Sequence, residues 1–301
     1  MSAQDLITQH QAAGRYFKSG GVRSFVREQG RGETVVCMHG VPASSFLYRK
    51  VLPELASRGF NGIAFDLPGM GLADRPADFD YSFSGSGQWS AKAIDDLGID
   101  KFHLVIHDIG GPVGLEILAR MPERVLSLTV LNTLILVDGF KKPWMMRPFG
   151  WAGINKLYLA GLNGVMFKLL MNYAGVYDKT VFGFDVANAY VQLLKREDRG
   201  AAFLKFMQGF ETTAAKQAYY LKAIAIPTLL IQAVDDPFMT AEVIPDKKEL
   251  SEQITMEITQ GGGHVGFVTG VAPFKPRYWL EQRIPEFLHL QHSRLRKISK
   301  K

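Results

Sequence analysis

One cysteine, Cys37, stands alone among 301 residues, so no intrachain disulfide can form. That usage fits a reducing compartment, and Cys37 itself is expected to be a buried core residue. No apolar run reaches the ~18 residues that cross a bilayer, so no membrane span is expected. Met1 to Leu6 has no basic stretch followed by an apolar one, so no secretory signal is expected and the cytoplasm is the expected location. The seven histidines suggest no metal centre. Gly110, Gly111 and Gly114 open a helix after a strand, but their spacing is not that of a dinucleotide loop. The expectation is chemistry without metal or cofactor.

Acidic residues are missing from the last ten positions, which hold Arg294, Arg296, Lys297, Lys300 and Lys301. Without that tail the net charge of +6 falls to +1, and no stripe of cations interleaved with aromatics lies elsewhere. Nucleic acid is therefore not an expected partner, and residues 292–301 read as a basic, solvated tail. Nothing in the composition sets an oligomeric state.

What is present is an alternation of strand and helix patterns. Val22 to Arg27 suits an edge strand, and Thr34 to Met38 a strand covered on both faces. Helical spacing follows over Phe46 to Arg58, then a strand over Gly62 to Phe65 and a helix over Trp89 to Leu97 ended by Gly98. Strand Phe102 to Ile106, helix Pro112 to Met121 and strand Val125 to Leu131 continue the pattern. It resumes with strands Ile226 to Ala233 and Ile254 to Thr259 and a helix from Arg277 to Leu288. The fold class is α/β, a mostly parallel sheet of about eight strands with helices on both faces. Residues 139–222 break the pattern with apolar helical segments holding five of the eleven methionines. They read as a helical cap inserted between core parts 1–138 and 223–291.

Asp108 stands at the tip of Leu104-Val105-Ile106-His107-Asp108-Ile109-Gly110-Gly111, a buried strand, a one-residue corner and a glycine-lined helix. A serine there would make an acyl-enzyme. A carboxylate can instead displace a leaving group from carbon and form an ester that water later cleaves. Asp236 and His264 follow later strands, whose C-terminal ends share one edge in a parallel sheet. His264 would activate water, and Asp236 would hold its ring. Asp235 is the main rival for the acid and Asp138 the second. Asp236 is preferred because it lies three residues beyond the small Ala233. Backbone N–H groups of Val41 and Ile109 would supply the oxyanion hole.

These strings, with His39-Gly40-Val41-Pro42 and Phe65-Asp66-Leu67-Pro68-Gly69, resemble the α/β-hydrolase superfamily, within its haloalkane dehalogenase and epoxide hydrolase branch. From Pro227 onward, Asp235-Asp236-Pro237-Phe238-Met239 and Gly262-Gly263-His264-Val265-Gly266-Phe267 are more similar to a serine-esterase branch. The resemblance implies an Asp nucleophile and a small hydrophobic substrate that reacts with water. It also implies a tryptophan after the nucleophile to hold a departing halide, where this chain has Ile109. Trp144 or Trp151 would have to serve instead. Epoxide opening would need cap tyrosines, from Tyr158, Tyr173, Tyr177, Tyr190, Tyr219 and Tyr220, with Tyr190 the chosen candidate. Ile106 occupies a position that is usually small in the family. Two other functions stay open: an ester or lactone hydrolase in which His264 activates water directly, and a non-catalytic ligand-binding protein on the same fold.

Overall fold

The computed structural model describes residues 1–138, 140–176, 182–236, 238, 248, 250–264, 268–269 and 277–298, with backbone only at 174, 268–269, 277–279 and 295–298. Tyr177, Pro237, Met239, Val265, Gly266, Phe267, Lys300 and Lys301, named above, lie outside the described residues.

The chain opens with α1 (Ala3–Ala12), β1 (Arg15–Ser19), β2 (Val22–Gly30), β3 (Glu33–Met38), α2 (Val51–Ser57) and β4 (Phe60–Phe65). It continues through α3 (Phe83–Asp96), β5 (Phe102–Asp108), α4 (Gly110–Arg120) and β6 (Val125–Thr133). Then come α5 (Ile154–Gly161), α6 (Gly164–Leu170), α7 (Phe184–Lys195), α8 (Ala201–Gln208) and α9 (Ala214–Ala223). It closes with β7 (Thr228–Ala233), β8 (Ile254–Thr259), the short pair β9 (Val268–Thr269) and β10 (Arg277–Tyr278), and α10 (Trp279–Ile298).

Eight strands form one sheet in the order β1-β2-β4-β3-β5-β6-β7-β8. Within this sheet, among the described residues, only the β1–β2 and β2–β4 pairings are antiparallel. The sheet is covered on both faces. Val36 and Met38 point into a core with Phe83, Val113 and Ile117 of α3 and α4. Their neighbours Val35 and Cys37 point the other way, against Leu52, Leu55, Ile284 and Phe287 of α2 and α10. That period of two explains why β3 reads as a continuous apolar run. Burial raises the Cys37 thiol far above its usual range, which keeps it inert.

Three expectations are corrected. Val22 to Arg27 is not at the edge, because β1 pairs along it and takes that place. The helix expected over Phe46 to Arg58 is a 3-10 turn over Ser45–Arg49 followed by α2. The last helix runs past the expected end at Leu288 to Ile298, so residues 292–298 of the basic tail are helical. Among the described residues no helix is long and apolar enough to cross a membrane.

The N-terminal helix α1 starts with a capping box between Ser2 and Asp5. It delivers His10 into the interior. His10 lies between Phe25 and Phe46, with Nε2 3.0 Å from the Ser45 hydroxyl. Burial, with help from the charges of Arg27 and Arg49, pushes its pKa down to about 3. The folded protein thus keeps His10 neutral where the unfolded chain takes a proton below ~6.5. Stability from this residue is complete above that pH and is lost as pH falls toward about 3. Denaturant titrations from pH 6.5 to 4 are expected to show falling stability. In His10→Gln the slope should be shallower by up to ~1.4 kcal/mol per pH unit.

Candidate active site

The chain leaves β3 to one side for β4 and later returns to its other side for β5. Loops after β3 and β5 therefore part at their C-terminal ends and leave a crevice, the usual ligand position in such a sheet. β5 is buried throughout and ends on Asp108, whose φ of 53° puts a non-glycine residue in the left-handed region. That conformation costs on the order of 1 kcal/mol and persists only because the surroundings fix it. The Thr133 hydroxyl donates to the Asp108 carbonyl, and α4 begins two residues later.

The loop after β3 is pinned by its own histidine. Leu67 N–H donates to His39 Nε2 at 3.0 Å, so the ring proton sits on Nδ1, which donates to the Gly40 carbonyl at 2.9 Å. Burial holds this ring below its usual pKa and keeps it neutral. Gly40 is required here, because a Cβ would lie 2.1 Å from Asp108 Oδ1. The next N–H, of Val41, donates to that oxygen at 2.7 Å, and the Ile109 N–H also bonds the carboxylate. Both expected donors thus meet one side chain. Ile106 is accommodated from across the corner: a Cβ on Gly114 would stand 2.3 Å from its methyl.

His264 bridges two carboxylates. Its Nε2 lies 2.9 Å from Asp108 Oδ2 and its Nδ1 2.9 Å from Asp236 Oδ2, all three side chains being buried. Burial alone would lower its pKa, but the Asp236 charge and the bonds to both carboxylates push it up to about 10. Burial alone would raise the Asp108 carboxyl, yet the bond to His264, the ring's charge and the Ile109 N–H bring it below the usual range. The two carboxyl groups thus favour the protonated form of the ring between them.

The rivals for the acid do other work. Asp235 accepts the N–H groups of Gly263 at 2.8 Å and Gly262 at 3.3 Å, which shapes the loop carrying His264. Asp138 is exposed, and its N–H donates to Gln217. Two residues near the site carried no signal in the sequence. Asn132, at the end of β6, donates to the carbonyls of Gly263 at 2.7 Å and His264 at 3.0 Å and accepts from the Ala233 N–H at 2.9 Å. His107 Nε2 donates to the His264 carbonyl at 2.9 Å, and burial lowers its pKa to about 4. His103 and His107 stand four apart, but on a strand, and no metal-binding cluster occurs among the described residues.

Asp108, His107 and His264 form the polar floor of a cavity of about 470 Å³. Its walls are apolar, with Leu47, Met146, Phe149, Phe167, Met171 and Phe203 among them. Tyr190 lines it, held edge-on to Phe46 and stacked on Phe182, with a hydrogen bond between its hydroxyl and the Arg49 guanidinium. Tyr158 also lines it, but its hydroxyl donates to the Met145 carbonyl at 3.1 Å. Trp144 is at the mouth and 70% exposed. Trp151, expected to bind substrate, is 53% exposed and is not among the lining residues. Tyr173 and Tyr219 are exposed as well, and Tyr220 is buried outside the lining.

Residues 33–271 match a protein family described as alpha/beta hydrolase fold. A haloalkane dehalogenase of Psychrobacter cryohalolentis is 35% identical over 117 residues, 36% of this chain. The match spans only 39% of that relative's length. A cis-3-alkyl-4-alkyloxetan-2-one decarboxylase of Shewanella oneidensis is 28% identical over 236 residues, 73% of this chain and 72% of the relative. Among solved structures, an epoxide hydrolase of Vigna radiata superposes with a TM-score of 0.70 at 18% identity, covering 94% of this chain and 98% of that one.

Proposed function

The chain belongs to the α/β hydrolase fold family, and from that premise we propose that it is a hydrolase whose Asp108 attacks carbon and forms a covalent alkyl-enzyme ester. The observation that carries this reading is the placement of the Asp108 carboxylate. One oxygen is held by Val41 N–H and the other lies against His264 Nε2, on the floor of an apolar cavity. In the first step an Asp108 oxygen bonds to the substrate carbon as the bond from that carbon to its leaving group breaks. The leaving group departs with the electron pair. In the second step His264 takes a proton from water, and the hydroxide adds to the Asp108 carbonyl carbon. The N–H groups of Val41 and Ile109 stabilise the oxyanion, and its collapse, with the proton on His264 passing to the departing oxygen, releases an alcohol.

The same geometry explains the order of events. With both carboxylates charged, His264 is protonated and cannot act as a base. Alkylation neutralises Asp108, removes one of the two charges that raise the ring's pKa, and lets it give up its proton. This argues against direct activation of water by a resting His264, whose Nε2 is already engaged by Asp108. A pure binding protein would gain nothing from a base held ready in this way.

A strained oxygen ring suits the cavity better than a halide. Ile109 provides no side-chain donor, and Trp144 faces largely outward. Tyr190 lines the cavity with the Arg49 guanidinium beside its oxygen, so its O–H can turn to a departing ring oxygen. A β-lactone is favoured over an epoxide by the Shewanella oneidensis relative, whose match covers most of this chain. A single turnover in heavy-oxygen water, with a panel of epoxides, β-lactones and haloalkanes, should place the label in the peptide containing Asp108. Label found only in product, with full activity in Asp108→Ala, would exclude the reading.

A further inference from the structure

Helices α5 and α6 turn apolar side chains outward. On α5 the buried positions are Asn155 and Leu159, whereas Ile154, Leu157 and Tyr158 form an exposed face, Leu157 at 77%. On α6, Gly164 and Phe167 are buried, whereas Val165, Met166 and Leu169 face out, Leu169 at 63%. Isolated exposed apolar residues need no explanation, but a contiguous patch does. Here Trp144, Leu157, Tyr158 and Met166 are exposed and also line the cavity above Asp108, so the surface runs on into the cavity mouth.

The charges of the same segment are one-sided. From Lys141 to Val176 there are five cations, Lys141, Lys142, Arg147, Lys156 and Lys168, and no acid. Lys141, Arg147 and Lys156 are exposed. Such a face would repel a second copy of itself, because a two-fold contact sets cation against cation.

We propose that this face docks on an anionic lipid surface, so that the cavity mouth opens toward the apolar layer. Short helices with outward Leu, Ile, Met and Trp side chains bury those groups at the level where headgroups meet acyl chains. Cations beside them add on the order of 1 kcal/mol each from anionic lipids. The docking stands independently of the chemistry at Asp108. That an apolar substrate reaches Asp108 from the lipid rests on the alkyl-enzyme reading.

The test uses the full chain with vesicles of phosphatidylcholine alone or mixed with phosphatidylglycerol, followed by sedimentation and tryptophan fluorescence. Mixed vesicles should bind at least ~10-fold more tightly at low salt, and emission should shift to the blue. The shift should vanish in Trp144→Phe/Trp151→Phe. Ile154→Glu/Leu169→Glu, with unchanged circular dichroism, should lose binding ~10-fold or more. Arg294→Gln/Arg296→Gln should bind like the unaltered chain, and so should Asp108→Ala. Three results would overturn the proposal: no binding to either vesicle, binding lost only with the C-terminal cations, or a dimer in solution that Ile154→Glu/Leu169→Glu dissociates while vesicles bind neither form.

Discussion

His264→Ala is expected to stop half-way, with substrate bonded to Asp108 and no further turnover. Mass spectrometry of the digested protein should show the peptide containing Asp108 heavier by the substrate fragment, in a 1:1 ratio to enzyme. Overall turnover should fall ~10²- to 10⁴-fold, because a positioned base supplies that much to the water step. The first step should survive. The carboxylate is oriented by the Val41 and Ile109 N–H groups, which hold its non-attacking oxygen and which the substitution leaves alone. Asp108→Ala should instead lose the adduct and turnover together. Rapid hydrolysis by His264→Ala with no adduct would contradict the scheme at its second step.

The second large effect is expected just behind the cavity floor, at Asn132. Asn132→Ala removes an amide that ties the strand ending at Ala233 to the loop carrying His264. The Ala233 N–H and two carbonyls would be left buried with fewer partners, and stability should fall by ~2–4 kcal/mol. The catalytic consequence should be a kcat lowered ~10²-fold with KM little changed, because a base displaced by a fraction of an ångström still leaves the binding walls intact. Denaturant unfolding and steady-state kinetics on the same preparation separate the two losses. A variant that loses stability but keeps kcat would make Asn132 purely structural.

The corner at Asp108 was legible because three independent signals coincide there: an all-apolar strand, a polar tip and glycines on the far side. Asp236 was separable from Asp235 by its distance from a small residue, and the hydrogen bonds give the two carboxylates different partners. Asn132 was not legible. A polar residue after a strand looks like any turn former, and its role depends on a loop 131 positions away. Strand β1 and helix α1 carry little signal in the sequence because their side chains are largely exposed and their apolar pattern is weak. Trp151 is ambiguous in the sequence for a related reason. An aromatic residue in an apolar segment reads the same whether it packs inward or faces out, and only the packing of α5 to α8 decides.

The left-handed backbone at residue 108 has one more consequence. The donors and the corner are set by main chain and neighbours, and the imidazole is held on its far side by Asp236, so the site's shape does not rest on the tip side chain alone. One amino-acid replacement there would leave the scaffold standing and hand it to a different reaction. Divergence within such a lineage can therefore proceed by exchanging the nucleophile first and reshaping the walls afterwards.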